Sequence, residues 1–238
     1  MKKKLGGKSR TFWNKEYRQK DSRNGHLALS NNPSEDLEKF TRWLERQSGR
    51  EFLNPLAKAL DLGCGNGRNL IFLSENFGIK GTGYDISGEA ISSAKKLSKE
   101  FPIQYEIRSI VGDITIPDES QTIVLDMMTS HFLKKDEREH LHDEIARVLK
   151  PGGWLFFKTF LLDEDKNAKR MLEENPAEEA GSYIHPKIGV AEHVFTEEEI
   201  VEDLSKHFTI HKIVKSHRHL LRGKAAKRRS ISVYAEKN

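Results

Sequence analysis

The sequence predicts an α/β fold, a doubly wound and mostly parallel sheet with helices on both faces, and two observations carry that expectation. Between Leu56 and Phe77 an apolar run (Leu56, Ala57, Ala59, Leu60, Leu62) passes into glycines at alternate positions, Gly63, Gly65 and Gly67. Leu70, Ile71, Leu73 and Phe77 then follow at helical spacing. That order is a strand, a tight turn and a helix start. From there strand-like and helix-like segments alternate towards the C-terminus, as parallel strands joined by helical crossovers require.

The elements follow in order. Residues 1–10 (MKKKLGGKSR) are basic, poor in apolar side chains and expected to be a disordered arm. Thr11 to Gln19 reads as a short helix with Phe12, Trp13 and Tyr17 facing inward. These aromatics either close over a ligand or are plain core. In Asn32-Pro33-Ser34-Glu35, Asn32 suits a helix cap, Pro33 the first helical position, and Glu35 can reach back. Leu37, Phe40, Trp43 and Leu44 then form one apolar packing stripe. After a break at Gly78, Ile79 to Tyr84 forms a second strand that ends at Asp85. A helix over Glu89 to Phe101 and a strand over Ile103 to Arg108 follow. The apolar Ile123-Val124-Leu125 marks a fourth strand, and Glu137 to Leu149 a helix before Pro151-Gly152-Gly153.

Residues 163–195 interrupt the alternation with charged helix-like turns and with Pro176, Gly181, Pro186 and Gly189. An insertion at the carboxyl end of such a strand lies over the crevice where ligands bind. It therefore reads as a substrate lid, with Ser182, Tyr183, His185, Glu192 and His193 as polar candidates. Thr196 caps a helix that runs to about His207, with Glu198 and Glu199 in its first turn. Phe208 to Ser216 and Ser230 to Glu236 alternate like two strands, joined by HRHLLRGKAAKRR. The expected organisation is one domain over 1–238: helices over 11–50, a ligand-binding core over 55–160, the lid, and a C-terminal helix with a basic hairpin over 196–238.

The glycine turn carries the chemistry. Glycine is wanted where the backbone takes positive φ or where a ligand approaches too closely for a Cβ. The helix N-terminus behind it offers unpaired N–H groups. Asp85 lies 18 residues beyond Gly67, where an acid at a strand end can accept from ribose hydroxyls. A dinucleotide site uses the same logic, but its G-x-G-x-x-G spacing fails here, ending on Arg68 or on Leu70.

Gly63-Cys64-Gly65-Asn66-Gly67 instead resembles motif I of the class I S-adenosylmethionine (SAM)-dependent methyltransferases. Within that superfamily, DLGCGNGRN is similar to the version found in tellurite-resistance-type methyltransferases. Asp85 matches the family's ribose-binding acid, Gly112-Asp113-Ile114 its adenine-side segment, QTIVLDMMTSHFL its fourth-strand motif, and EIARVLKPGGWLFF the helix, turn and fifth strand after it. FWNKEY resembles the aromatic lead-in helix of many small members. The motifs cover roughly residues 55 to 160 in the family's order. The resemblance implies a Rossmann-like sheet of seven strands, the last of them antiparallel, and SAM as cofactor.

It also implies roles. Gly63, Cys64, Gly65, Asn66 and Gly67 would face the methionine part, Asp61 would fix the loop or reach the amino group, and Asp85 would accept from the ribose. Ile86 and Ile114 would wall the adenine, with Asp113 beside it. Asp126 could bind the ammonium group or orient a nucleophile, or be structural. His131, where many small members carry a histidine, could be a general base, or could pack. Tyr17, Tyr183, His185 and His193 are the substrate candidates. No histidine spacing suggests a metal.

Composition bounds the rest. A chain of 238 residues, 36% hydrophobic and 32% charged, can bury about 70–75% of its unfolded surface. It has no apolar run of about 18 residues to span a bilayer; its first lysines have no apolar core behind them, so no signal peptide is expected there; and its one cysteine suits a reducing cytoplasm. The net charge of +4 hides an asymmetry. Residues 1–15 hold six Lys/Arg, residues 204–235 hold nine, and neither stretch holds an acid. A small-molecule methyl acceptor suits the short chain. RNA or a protein acceptor is the alternative, reached through Arg222, Lys224, Lys227, Arg228 and Arg229. A SAM-binding partner protein without catalysis is a third reading. The oligomeric state leaves no mark on the sequence.

Overall fold

The computed structural model describes residues 7–18, 30–216, 220–221, 224–225 and 228–238. Seven strands form the main sheet: β1 (Lys58–Leu62), β2 (Lys80–Asp85), β3 (Ile103–Ile107), β4 (Gln121–Met127), β5 (Leu149–Phe160), β8 (Phe208–Lys215) and β11 (Ser230–Lys237). Their order is β3-β2-β1-β4-β5-β11-β8. β2 is parallel to β1 and β3, and β11 is antiparallel to both β5 and β8. The sheet is therefore Rossmann-like, with the last strand reversed as expected. Short pairs β6 (Ser182–Ile184) with β7 (Ala191–His193), and β9 (Leu220–Leu221) with β10 (Lys224–Ala225), stand apart from it.

The chain groups into two compact units, residues 1–110 with 121–124, and residues 111–120 with 125–238. In the first, α1 (Gly7–Arg18) and α2 (Glu35–Ser48) precede β1, α3 (Arg68–Phe77) joins β1 to β2, and α4 (Gly88–Leu97) joins β2 to β3. Two expectations change. Residues 7–10, assigned to a disordered arm, form the first turns of α1, and 1–6 lie outside the described residues. The α2 cap is Ser34, not Asn32: Glu35 opens the helix, and the Ser34 amide donates to Asn69 Oδ1 at 3.1 Å. Leu37, Phe40 and Leu44 are fully buried, so the stripe does pack. α4 ends at Leu97 rather than Phe101, where the Ser98 amide closes on the Ala94 carbonyl at 3.0 Å.

The second unit holds α5 (Lys135–Val148), α6 (Lys166–Glu174) and α7 (Glu197–Leu204). β5 is assigned from Leu149, yet its pairing with β11 starts at Trp154, and Gly152 takes φ 73°. Lys-Pro-Gly-Gly is thus a turn feeding a strand whose Leu155, Phe156 and Phe157 are buried. Glu144 and Arg147 on α5 clamp the segment before β4. Glu144 Oε2 accepts from Ile114 N at 2.6 Å, and Arg147 Nη2 donates to the Ile114 carbonyl at 2.6 Å. Thr196 caps α7 by accepting from Glu199 N at 3.1 Å, as expected, but the helix stops at Leu204.

The segment read as a lid is largely packed structure. Asp165 is fully buried and caps α6, accepting from Asn167 N and Ala168 N at 2.8 and 3.0 Å. Its other oxygen accepts from Arg229 N at 2.7 Å and Arg228 Nε at 3.4 Å. Replacing Asp165 with Ala strands four donors and uncovers a buried cation. The expected loss is about 3 kcal/mol, read as a fall in the urea unfolding midpoint. A loss below about 1 kcal/mol would contradict that role.

Candidate functional site

In the first unit the three glycines of the β1–α3 turn all take positive φ: Gly63 79°, Gly65 57° and Gly67 78°. A side chain there would be strained whatever the space. The amides of Gly63 and Cys64 both donate to the Tyr84 carbonyl, at 2.8 and 2.9 Å, which binds the turn to the end of β2. Asp85 completes the link. Its Oδ2 accepts from Gly65 N at 2.9 Å and its Oδ1 from Ser87 N at 2.8 Å. Burial pushes its carboxyl up, and those two amides oppose the shift.

The neighbours explain the other loop residues. Cys64 is buried with Sγ against Gly83, where an added Cβ would lie 2.8 Å away. Burial raises its thiol well above the ordinary range, so Cys64 is a small filler and no nucleophile. Asn66 Nδ2 donates to the Ser30 carbonyl at 3.2 Å and to Asn31 Oδ1 at 3.3 Å, which ties the turn to the segment before α2. Asp61 is buried at the end of β1.

Tyr17 lies directly over this turn. Its hydroxyl touches Gly65 so closely that any Cβ there would overlap it. Burial and the Asp85 charge push its pKa above the ordinary value. Asn14, one helical turn earlier on the same face, accepts from Ser87 Oγ at 2.8 Å, and Arg18 pairs with Glu89 at 2.8 Å. α1 is thereby pinned to the start of α4. Sequence reasoning named Tyr17 both as an aromatic that closes over the cofactor and as a substrate contact, and the structure sets it on the glycine turn. It missed Asn14, Ser87 and Asn69, and the three-residue spacing of Asn14 and Tyr17 was the one available signal.

In the second unit Asp126 is fully buried near the end of β4, and its Oδ1 accepts from Ser130 N at 3.2 Å. Met128, just beyond, takes φ 61°, a strained conformation of the kind that gathers at functional sites. His131 follows in the 3₁₀ turn Ser130–Phe132, 2% exposed, with its ring 5.3 Å from the Phe160 ring centre. Arg228 lies over Phe160 with Cζ 4.0 Å from that centre. Its Nη1 donates to Tyr183 Oη at 2.7 Å and Glu192 Oε1 at 2.8 Å, and Tyr183 donates to the same Glu192 oxygen. Burial alone would raise Glu192, yet the charged and bonded groups around it, Arg228 among them, hold it below the usual range.

Other candidates are committed elsewhere. His193 Nδ1 meets Ser182 Oγ at 2.9 Å and Nε2 meets Glu199 at 2.8 Å, which joins the β6–β7 pair to α7. His185 Nδ1 accepts from Lys187 N and Ile188 N, both at 3.3 Å, inside a turn. The Asp113 side chain is 86% exposed and meets His140 at 3.0 Å, whereas Ile114 is 4% exposed. Arg228 and Arg229, offered as phosphate contacts, are spent on Glu192, Asp165 and Glu164 instead. Arg222 and Lys227 lie outside the described residues, as does the Lys224 side chain.

Residues 60–157, from β1 to the paired part of β5, match the family model described as "Methyltransferase domain". These residues thus carry a methyltransferase domain. A glycine/sarcosine/dimethylglycine N-methyltransferase of Actinopolyspora halophila is 25% identical over 56% of this chain and 24% of that protein. A 27-O-demethylrifamycin SV methyltransferase of Amycolatopsis mediterranei is 30% identical over 58% of this chain and 52% of its own length. The chain thus spans about a quarter to a half of these relatives. In fold, the chain is similar to a SAM-dependent methyltransferase from Methanosarcina mazei. The TM-score is 0.67 at 24% identity, covering 79% of this chain and 95% of that one.

Burial pushes His131 and His142 down to about 4 and Asp126 up to about 6. Below pH 6.5 the unfolded chain protonates two imidazoles that the folded chain keeps neutral, so stability falls with pH. Asp126 works the other way, because the folded chain takes up its proton first and acidification relieves a cost. Two imidazoles outweigh one carboxyl. Moving from pH 7 to 5 is expected to cost roughly 2–3 kcal/mol in urea unfolding, and His142→Gln to remove most of that fall. An unfolding midpoint that does not move between those pH values would contradict these shifts.

Proposed function

We propose that this chain is a methyltransferase that moves the methyl group of SAM to a small-molecule acceptor, with its first unit holding the donor. The observation that carries this is the joint made by Asp85 and Gly65. Three positive-φ glycines spare the turn a Cβ at alternate positions, and the carboxylate beside them fits a ribose. Each Asp85 oxygen spends one lone pair on a backbone amide and keeps another for a hydroxyl. Gly63, Gly65 and Gly67 would admit the methionine part, Ile86 would lie against the adenine, and Tyr17 would cover the turn. Bound SAM supplies an activated methyl on a sulfonium, so positioning alone can contribute about 7–11 kcal/mol of barrier reduction.

The second unit would serve the acceptor. His131 is kept neutral near pH 7 and can take a proton from a hydroxyl or amine. A small acceptor is favoured over RNA because Arg228 and Arg229, two of the five residues expected to meet phosphate, are held in ion pairs.

Titration with SAM in a calorimeter tests the donor site. Asp85→Ala is expected to weaken binding by about 1–3 kcal/mol, roughly tenfold or more. Unchanged affinity would remove Asp85 from the site. Tight SAM binding without methyl release to any acceptor in fractionated extract would leave a binding protein rather than an enzyme.

A further inference from the structure

Two unspent hydrogen-bonding atoms lie against the same aromatic ring in the second unit. His131 Nδ1 and Arg228 Nη2 are both buried, and neither has a hydrogen-bond partner. Their side chains contact Phe160, at 5.3 Å between ring centres and 4.0 Å from Cζ to centre. Buried polar atoms are paired in the great majority of cases, so two open valences on one half-buried ring mark a place for a ligand. One is a fixed donor. The other, on an imidazole kept neutral by burial, can accept.

We propose that the methyl acceptor is a neutral hydroxy-carbonyl compound, its hydroxyl donating to His131 Nδ1 and its carbonyl oxygen accepting from Arg228 Nη2. This rests on the methyltransferase reading above and names the substrate class for it. Charge decides between a carbonyl and a carboxylate. Arg228 already faces two carboxylates, Glu192 at 2.8 Å and Asp165 at 3.4 Å. A third anion on one guanidinium would be repelled in a buried setting. The side chains around this ring are apolar. Phe160 and Leu162, with Met171 and Leu172, pack against the buried Ala168, Tyr183 and Val194. Arg228 also lies 5.7 Å from the Tyr183 ring centre.

The chemistry balances without a further reagent. The acceptor oxygen forms its bond to the methyl carbon as the methyl–sulfur bond breaks, and that bonding pair leaves on sulfur as a neutral thioether. The hydroxyl proton passes to His131 Nδ1 and then to water. The products are a methyl ether, the demethylated cosubstrate and one proton.

The test is ligand-observed NMR on the whole chain without SAM, so that it stands apart from the donor site. The probes are 2-, 3- and 4-hydroxyacetophenone, against phenol, acetophenone and 4-hydroxybenzoate. At least one hydroxyacetophenone is expected to bind tenfold or more tightly than phenol, acetophenone and hydroxybenzoate alike. Arg228→Lys keeps the charge facing Glu192 but removes the second nitrogen of the fork. It is expected to abolish the preference over phenol while leaving phenol binding unchanged, and His131→Phe to abolish the preference over acetophenone. Thermal unfolding and circular dichroism identify a variant that has not folded, and Arg228→Gln then replaces Arg228→Lys. No preference in the wild type, tighter hydroxybenzoate binding, or a preference that survives loss of the guanidinium would overturn the proposal. Selective probe binding with no SAM binding would sink the methyltransferase reading instead.

Discussion

The first unit depends on one carboxylate. Asp85 ends β2, and its two oxygens take amides from two different turns, Gly65 after β1 and Ser87 before α4. Without it both amides would be left buried and unpaired, at about 1–3 kcal/mol each. The same bonds aim its remaining lone pairs. A structural role and a ligand-binding role are therefore not alternatives for Asp85, because the backbone bonds that hold the turn also fix the direction in which the acid faces. Gly65 is under the same constraint from both sides. Its amide must meet Asp85, and its Cα must leave room for the Tyr17 hydroxyl.

What was legible in the sequence was local. The glycine turn and the Thr196 cap each rest on residues a few positions apart, and backbone geometry ties such patterns to one conformation. Caps without a clear pattern went wrong. Asn32 had the right side chain, but Asn69, far along the chain, captured the Ser34 amide and set the start of α2 there. The Asn14–Ser87 bond spans 73 positions and the Arg228–Glu192 pair 36. No periodicity encodes a partner at that distance, so these contacts could be found only in three dimensions. Asp113 lies at such a long-range contact too. A motif placed it, and His140 on α5, 27 positions on, meets its exposed carboxylate.

Charge counting failed for a related reason. The C-terminal stretch is rich in Lys and Arg with no acid among them, and a sum over sequence makes it a basic surface. Arg228 and Arg229 instead turn inward to Asp165, Glu192 and Glu164, all drawn from the insertion between β5 and α7. The insertion supplies the acids that the C-terminal stretch lacks, so part of the apparent asymmetry cancels between segments that are remote in sequence.

That cancellation bears on why the buried charges exist at all. A buried ion pair is seldom more stable than the apolar residues that could replace it, because both ions lose their water. The Arg228 cluster is therefore poorly explained as a source of stability. It is better explained by direction. Tyr183, Glu192 and Asp165 between them occupy Nη1 and Nε, and Phe160 supports the guanidinium plane from 4.0 Å. A fork held at those points cannot rotate, and the one nitrogen left over has a fixed aim. An apolar replacement would pack as well and would have nothing to aim.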